Sequence, residues 1–114
     1  MKFIDPGFKG NNPGHYSTAV VSNGMLYVSG LLSMDPDTRE VCTGDIQAHA
    51  AQALQNLDRV LKAAGVERSQ VVFCRVYTPS NEYWGPINAL YAQFFGEHKP
   101  CLLYTSDAAD DRIS

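Results

Sequence analysis

The stretch GDIQAHAAQALQNLDRVLKAAG, residues 44–65, decides the fold because it reads as one complete amphipathic helix with both ends marked. Asp45 is a good N-cap, since a short carboxylate accepts hydrogen bonds from the free N–H groups of a first helical turn. Gly65 marks the other end, where glycine commonly terminates a helix. The apolar side chains follow the three-four spacing of a single helix face: Ile46, Ala50, Ala53, Leu54, Leu57, Val60, Leu61 and Ala64.

Two strands are predicted upstream of this helix. Residues 16–21 and 25–32 are apolar or alternate in polarity, and Asn23-Gly24 between them accepts the positive φ angles of a tight hairpin. The first 14 residues are rich in glycine and proline, which predicts an irregular lead-in. Asp35-Pro36 marks a further turn.

Downstream, residues 71–77 form a β-rich run, and a second helix is predicted at about residues 82–97, with Pro86 in its first turn. The order β-β-α-β-α indicates an α+β fold in which two helices cover one face of a sheet. Such a sheet needs one more strand after the second helix. Residues 101–105 are apolar enough to supply it, whereas residues 106–114 are polar and without periodicity.

Composition excludes several classes of protein. At 114 residues and 45% apolar content, the chain predicts a single globular domain. Nine basic against twelve acidic residues, with no basic cluster, argue against a nucleic-acid partner. No apolar run approaches the roughly 20 residues that span a bilayer, so no membrane partner is expected. Three scattered cysteines predict neither a disulfide scaffold nor a zinc site, and together with the absence of a signal-like start they favour the cytoplasm.

Residues 13–100 contain a series of short motifs in a particular order and spacing. They are Gly14-His15-Tyr16-Ser17, Leu26-Tyr27-Val28-Ser29-Gly30, Asp35-Pro36, Gly44-Asp45-Ile46, Gln52-Ala53-Leu54, Asn56-Leu57, Ala63-Ala64-Gly65, Val76-Tyr77, Trp84, Asn88, Tyr91 and Phe95-Gly96. In this order and spacing the chain resembles the Rid family, also called the YjgF family, of imine and enamine deaminases.

The resemblance implies a fold, an assembly and a reaction. The fold is the YjgF or chorismate-mutase-like one, and three subunits pack their sheets into a barrel with ligand clefts between neighbours. The reaction is attack of water on the C=N bond of a 2-imino acid, which yields a 2-keto acid and ammonia. The implied partners are a small imino acid and two further copies of the chain, and no metal or cofactor is implied.

Four substrate-binding residues carry over by position. Tyr16 matches a tyrosine that lines the cleft, Ser29 and Gly30 match a strand with polar contacts there, and Asn88 matches a residue near the site. The residues alone leave alternatives open. Tyr16 reads equally as core, Ser29 as a nucleophile or a local hydrogen-bond donor, and Asn88 as a ligand or a cap for a neighbouring loop.

The chain departs from the family pattern where the catalytic charges belong. After Pro100 the family has a small residue and then a carboxylate-binding arginine, but here Cys101 and Leu102 stand in those places. A glutamate near the end of the family's last strand has no counterpart, and Leu31 replaces a usual glutamine. The catalytic residues therefore stay unassigned.

Residues 101–110 read as the translation of TGT CTC TTA TAC ACA TCT GAC GCT GCC GAC, which resembles a transposase sequencing adapter. We therefore expect residues 1–100 to be a family domain interrupted at its C-terminal end, and residues 101–114 to be an artefactual tail. The leading expectation is a deaminase of impaired activity, because leucine cannot pair with a carboxylate. The alternatives are a non-catalytic ligand-binding or chaperone-like trimer, and a chimera that folds poorly and exposes a sheet edge.

Overall fold

The computed structural model describes residues 1–9 and 14–106 of the chain, which form two compact units divided between Glu67 and Arg68. The fold is α+β. The strands and helices follow the order β1 Lys2–Ile4, β2 Ala19–Ser22, β3 Met25–Val28, α1 Ile46–Ala64, β4 Phe73–Thr78, α2 Trp84–Phe95 and β5 Cys101–Ser106. Short 3-10 turns at Arg68–Gln70 and Asn81–Tyr83 precede β4 and α2. Of the predicted tail at residues 101–114, residues 101–106 form β5 and residues 107–114 lie outside the described residues.

The first unit contains an antiparallel sheet with the order β1-β2-β3. The predicted hairpin is confirmed: Ser22 pairs with Met25, and Asn23 and Gly24 between them have φ angles of 52° and 76°. The expectation of an irregular lead-in is wrong at Lys2–Ile4, which forms β1. Ile4 explains the difference, because it pairs with Ala19 and is buried, so that β1 gains both backbone hydrogen bonds and core contacts.

Helix α1 confirms both predicted ends. The Asp45 side chain accepts a 3.0 Å hydrogen bond from the Ala48 N–H, and Gly65 adopts a left-handed φ of 72° at the C-terminus. The helix packs on the sheet through Val60, which is fully buried together with Ile4 and Ala19. Partly buried apolar side chains surround this core: Phe8, Val21, Leu26, Val28, Leu31 and Ala64.

The opposite face of the first sheet is apolar and exposed. Phe3, Val20 and Tyr27 are neighbours across β1, β2 and β3, and the exposed fractions of Phe3 and Tyr27 are 64% and 58%. Met25 adds a further exposed apolar side chain to the same face. Soluble monomers seldom expose contiguous apolar surface of this kind, which is typical of an interface.

In the second unit, β4 and β5 pair in parallel, with α2 as the connection that parallel strands require. The strand that the sheet needs after the second helix is present as Cys101–Ser106, where residues 101–105 were apolar enough to supply it. Pro86 lies in the first turn of α2 as expected. Cys74 pairs with Leu102 and Val76 with Tyr104, so these four side chains share one face of the pair. The other face carries Phe73, Arg75, Tyr77 and Leu103, all of which are exposed.

Within residues 1–9 and 14–106, no helix is long and apolar enough to cross a membrane. The same part of the chain contains no group of three or more His, Cys, Asp or Glu side chains that could hold a metal ion.

Candidate functional site

A cleft of about 310 Å³ opens in the first unit, beside the ends of β1 and β3. Its lining combines apolar walls with a few polar and charged groups. The lining residues are Asp5, Pro6, Phe8, Tyr16, Thr18, Gly30, Leu31, Leu32, Met34, Pro36, Arg39 and Asn56. A volume of this size suits a small molecule, since ligand pockets begin at roughly 300 Å³.

Two of the four predicted substrate-binding residues, Tyr16 and Gly30, line this cleft together. Tyr16 is 55% exposed, so the alternative that it is a core residue is wrong. Gly14 lies against the Tyr16 ring so closely that a Cβ at residue 14 would collide with it. Gly30 has open space around its Cα, which leaves its backbone accessible from the cleft.

Ser29 is not among the lining residues, but its hydrogen bonds hold a segment that lines the cleft. Its hydroxyl donates a 2.7 Å hydrogen bond to the carbonyl of Ser17, and its N–H donates a 2.9 Å bond to the carbonyl of Thr18. These bonds tie the segment that carries Tyr16 and Thr18 to the end of β3. The structure thus places the Ser29 hydroxyl as a local hydrogen-bond donor, which was one of the two alternatives drawn from the sequence.

Asn56 forms the polar floor of the cleft from helix α1. It is only 5% exposed, and its amide nitrogen donates to the carbonyls of Leu32 and Met34 at 3.0 and 2.9 Å. Its amide oxygen accepts a hydrogen bond from Gln52. One buried side chain therefore fixes the backbone of the segment that follows β3, because buried carbonyl groups require donors.

Ser33, in the same segment, makes a second connection to α1. Its hydroxyl lies 2.6 Å from Nδ1 of His49, in the first turn of the helix. Ser33 and His49 are both part-buried and are not among the residues that line the cleft. The contact therefore adds to the attachment of this segment to the helix.

Arg59, which is not among the lining residues, holds two loops that contribute to the cleft. Its guanidinium donates to the carbonyls of Pro6 and Gly7 at 3.0 and 3.2 Å and pairs with Asp37 at 3.4 Å. It thereby connects helix α1 to the loop after β1 and to the turn at residues 35–40. Asp5 in that loop lines the cleft, and one of its carboxylate oxygens accepts a 2.8 Å hydrogen bond from the Gly7 N–H.

The turn at residues 35–40 carries Arg39, the cation that lines the cleft. Asp35 organises this turn, because its carboxylate accepts hydrogen bonds from the N–H groups of Thr38 and Asp37, and these bonds lower the pKa of that carboxyl. The Arg39 N–H donates a 2.8 Å bond to the Asp35 carbonyl, and Arg39 adopts a left-handed φ of 67°.

The remaining predicted residue, Asn88, lies on α2 in the second unit. It is exposed, and its amide oxygen accepts a 3.5 Å hydrogen bond from the Tyr104 hydroxyl. The Tyr104 ring also packs on Trp84, with 5.4 Å between the ring centroids. The alternative that Asn88 only caps a loop gains no support, since its contact is with a side chain of β5.

Leu102 occupies the position that the resemblance assigns to the carboxylate-binding arginine. It is half-buried beside Cys74, and burial raises the pKa of the Cys74 thiol. Burial also raises the pKa of Tyr91 on α2 well above its ordinary range, with smaller contributions from Cys74 and Tyr104. These shifts describe an apolar environment around residue 102.

Sequence reasoning missed Asp5, Arg39 and Asn56. A signal existed for Asn56, because an amide placed between Leu54, Leu57 and Val60 on an apolar helix face must find partners when it is buried. Asp5 and Arg39 follow from the formation of β1 and from the geometry of the 35–40 turn. The turn itself was predicted at Asp35-Pro36, but β1 and the left-handed backbone of Arg39 were not.

Comparison with known proteins agrees with the motif order. Residues 10–106 match the family model described as endoribonuclease L-PSP. A RutC family protein of Pyrococcus horikoshii is 36% identical over 87 residues, which span 76% of this chain and 69% of that protein. The human 2-iminobutanoate/2-iminopropanoate deaminase is 34% identical over 87 residues, 76% of this chain and 64% of the human protein.

Solved structures give the same result. A Thermotoga maritima protein described as an endoribonuclease superimposes with a TM-score of 0.89 at 33% identity, covering 95% of this chain and 85% of that one. RidA of a Psychrobacter species superimposes with a TM-score of 0.87 at 27% identity, covering 95% and 87%. By sequence and by fold, the chain belongs to the endoribonuclease L-PSP family, the family of the RutC and Rid proteins.

Proposed function

We propose that this protein hydrolyses small 2-imino acids to 2-keto acids and ammonia, with an activity limited by Leu102. The observation that carries the proposal is the cleft that Tyr16 and Gly30 line together in the first unit. These are the positions to which the resemblance assigns substrate contacts. Similarity to the human 2-iminobutanoate/2-iminopropanoate deaminase, at 34% identity, supports the same reaction class.

The reaction requires a water molecule, a means of moving protons and a grip on the substrate. Water adds to the carbon of the C=N bond while the imine nitrogen gains a proton. The resulting carbinolamine then loses ammonia as its C–N bond breaks and the carbonyl forms. Among the described residues that line the cleft, Asp5 supplies the only carboxylate, and we assign it the role of orienting the attacking water. Tyr16 and the Gly30 backbone, which line the cleft, contact the substrate, and no metal or cofactor takes part.

Leu102 is the reason to expect weak turnover. A guanidinium holds a carboxylate through two charge-assisted hydrogen bonds, whereas leucine offers none. Hydrogen bonds to charged groups contribute about 1.5–3 kcal/mol each, so the loss of one weakens binding about tenfold or more. The amide oxygen of Asn88 accepts a hydrogen bond from the Tyr104 hydroxyl, and we propose Asn88 as a further residue that contacts the substrate.

We further propose that the chain works as a cytoplasmic homotrimer whose clefts lie between subunits. The exposed apolar face formed by Phe3, Val20, Met25 and Tyr27 supports an assembly that buries it. Tyr27→Asp introduces a charge into this face. It should shift the sedimentation coefficient from that of a trimer to that of a monomer, and a wild-type protein that sediments as a monomer would contradict the proposal.

The test of activity is ammonia release from an imino acid generated freshly by an amino-acid oxidase. The full chain should release ammonia and keto acid faster than the spontaneous reaction, and Tyr16→Ala and Asp5→Asn should both be slower than wild type. Gln55→Ala, an exposed change on α1 outside the cleft, serves as the matched control. A rate equal to the spontaneous rate for the wild-type chain would refute the proposal.

A second function is favoured by one observation, the apolar side chain at residue 102. A trimer that binds a small molecule or acts as a chaperone without turnover needs no such guanidinium. In the same experiment this alternative predicts ligand binding without acceleration of ammonia release.

Whether residues 101–114 derive from an adapter stays a prediction. The source DNA should be read again across the codons of Pro100 to Leu102. A small residue followed by arginine would identify the tail as an artefact and strengthen the deaminase proposal. A clean read of Cys101 and Leu102 would make the guanidinium absent in nature and favour the binding function.

A further inference from the structure

We propose that Arg39 binds the carboxylate of a small 2-keto or 2-imino acid in the cleft of the first unit, in place of the guanidinium that residue 102 lacks. The inference rests on the proposed function for the identity of the ligand. The site itself is argued from the position, the partners and the backbone of Arg39, and from the shape of the cleft.

Arg39 has a guanidinium available for a ligand. Arg59 pairs with Asp37, two residues before Arg39 in the chain, but the two arginines differ in how their side chains are used. The Arg59 guanidinium is occupied by Pro6, Gly7 and Asp37, whereas within residues 1–9 and 14–106 the Arg39 side chain makes no hydrogen bond or ion pair. A half-buried arginine that lines a cleft and whose guanidinium has no partner among the described residues is suited to bind an anion from solution.

The backbone of Arg39 supports the same conclusion. Its φ of 67° lies in the left-handed region, which is unfavourable for residues with a Cβ and is normally left to glycine. Asp35 imposes this conformation, because its carbonyl accepts the Arg39 N–H and its own N–H donates to the Glu40 carbonyl at 2.9 Å. Backbone strain of this kind is concentrated at functional sites, where a particular side chain is needed at a particular place.

The cleft limits the class of ligand. Phe8 and Leu31 offer apolar walls for a short aliphatic side chain, and a volume of about 310 Å³ admits a small molecule. Arg39 is the only cationic side chain among the described lining residues, and Asp5 places one negative charge on the same lining. One cation and one carboxylate on the same lining favour a monoanion and disfavour dicarboxylates and phosphates, which carry a second negative charge.

The test is direct binding of 2-oxobutanoate, a stable product analogue, measured by calorimetry on the full chain. Arg39→Gly should weaken binding about tenfold or more, because the charge-assisted hydrogen bonds are lost. Arg39→Lys should lie between Arg39→Gly and wild type, because it keeps the charge but not the planar fork. Arg75→Ala is the matched control, since it removes one exposed positive charge from β4, outside the cleft.

Arg39→Gly also makes it possible to separate a loss of affinity from a loss of folding. Glycine accepts a φ of 67° without strain, so the variant should melt at or above the temperature of the wild type while it loses affinity. A neutral analogue, 2-oxobutanamide, should bind wild type and Arg39→Gly equally. Equal affinity of Arg39→Gly and wild type for 2-oxobutanoate, or no binding by the wild type at 10 mM ligand (about 10 mM is ample for a weak site), would overturn the inference.

Failure of this inference and failure of the proposed function give different results. Arg39-dependent binding of 2-oxobutanoate without ammonia release would refute the deaminase and leave the Arg39 site standing. Ammonia release that is unchanged in Arg39→Gly would support the deaminase and refute the role of Arg39.

Discussion

The two units of this protein differ in the polarity of the surfaces that their strands and helices form. In the first unit, a polar cleft is built on buried hydrogen bonds: Asn56 holds the Leu32 and Met34 carbonyls, and Ser29 holds those of Ser17 and Thr18. In the second unit, residue 102 lies in an apolar face beside Cys74, whose thiol pKa is raised by burial. The comparison teaches that the same family fold holds a hydrogen-bonded polar cleft in one unit and an apolar pair of strands in the other.

The largest effect should come from removing the floor of the cleft. Asn56→Ala leaves the Leu32 and Met34 carbonyls without their donor, and a buried polar group without a partner costs about 1–3 kcal/mol. We therefore expect a loss of about 2–4 kcal/mol in the free energy of unfolding, measured with urea. Binding of 2-oxobutanoate should weaken at the same time, because the segment after β3 loses its attachment.

Two further variants, Asn56→Asp and Gln55→Ala, test whether the loss of stability comes from the missing hydrogen-bond donor. Asp keeps the shape of Asn56 but cannot donate, so it should be at least as unstable as Asn56→Ala. Gln55→Ala, on the exposed side of the same helix, should change stability by less than about 0.5 kcal/mol. Equal stability of all three variants would mean that the cleft does not depend on its buried hydrogen bonds.

A smaller effect is expected from returning a guanidinium to the second unit. Leu102→Arg should raise the rate of ammonia release by no more than about tenfold, because it regains one charge-assisted grip while the family's glutamate still has no counterpart. It should also lower the pKa of the Cys74 thiol, since a cation at the paired position stabilises the thiolate. Both effects are measured in one preparation, by ammonia release and by the pH dependence of thiol labelling at the Cys74 peptide.

Leu103→Arg is the control for this variant. Leu103 pairs with Arg75 and lies on the exposed face of β5, opposite to Cys74. It should therefore leave both the labelling of Cys74 and the ammonia rate unchanged. A Leu102→Arg protein whose Cys74 is labelled faster, but whose rate of ammonia release is unchanged, would show that the lack of a guanidinium at residue 102 does not limit that rate.

The same contrast separates what the sequence predicts from what it does not. Local signals were sufficient for Asp45 and Gly65 at the ends of α1 and for Asn23-Gly24 in the hairpin, because caps and tight turns depend on a few neighbouring residues. They were insufficient for β1, whose three residues become a strand only by pairing with β2 and burying Ile4. Propensity says little about so short a segment.

The cleft was predicted in part for a similar reason. The resemblance identified Tyr16 and Gly30, which line the cleft, but it also offered Asn88, which lies in the other unit beside Tyr104. Asp5 and Arg39 were missed because their positions depend on a long-range strand pairing and on a turn with an unusual φ. Both features arise from tertiary contacts that no short window of sequence contains.

The smallest effect concerns the turn that presents Arg39. Hydrogen bonds from the N–H groups of Thr38 and Asp37 lower the pKa of the Asp35 carboxyl below its ordinary value of 3.8, and the charge of Arg59 contributes in the same direction. The support that this carboxylate gives the turn is therefore present above the ordinary pKa of an aspartate and is lost as the pH falls through the lowered one.

The amide resonances of Thr38 and Asp37 should titrate together below pH 3.8, while those of Ser22 to Gly24 in the first hairpin stay constant. Asp35→Asn keeps an acceptor oxygen for the same turn but removes the charge, so it should abolish this titration and keep the affinity for 2-oxobutanoate close to that of wild type. A titration that persists in Asp35→Asn would assign it to another carboxylate, and the turn beneath Arg39 would then be held by its backbone hydrogen bonds alone.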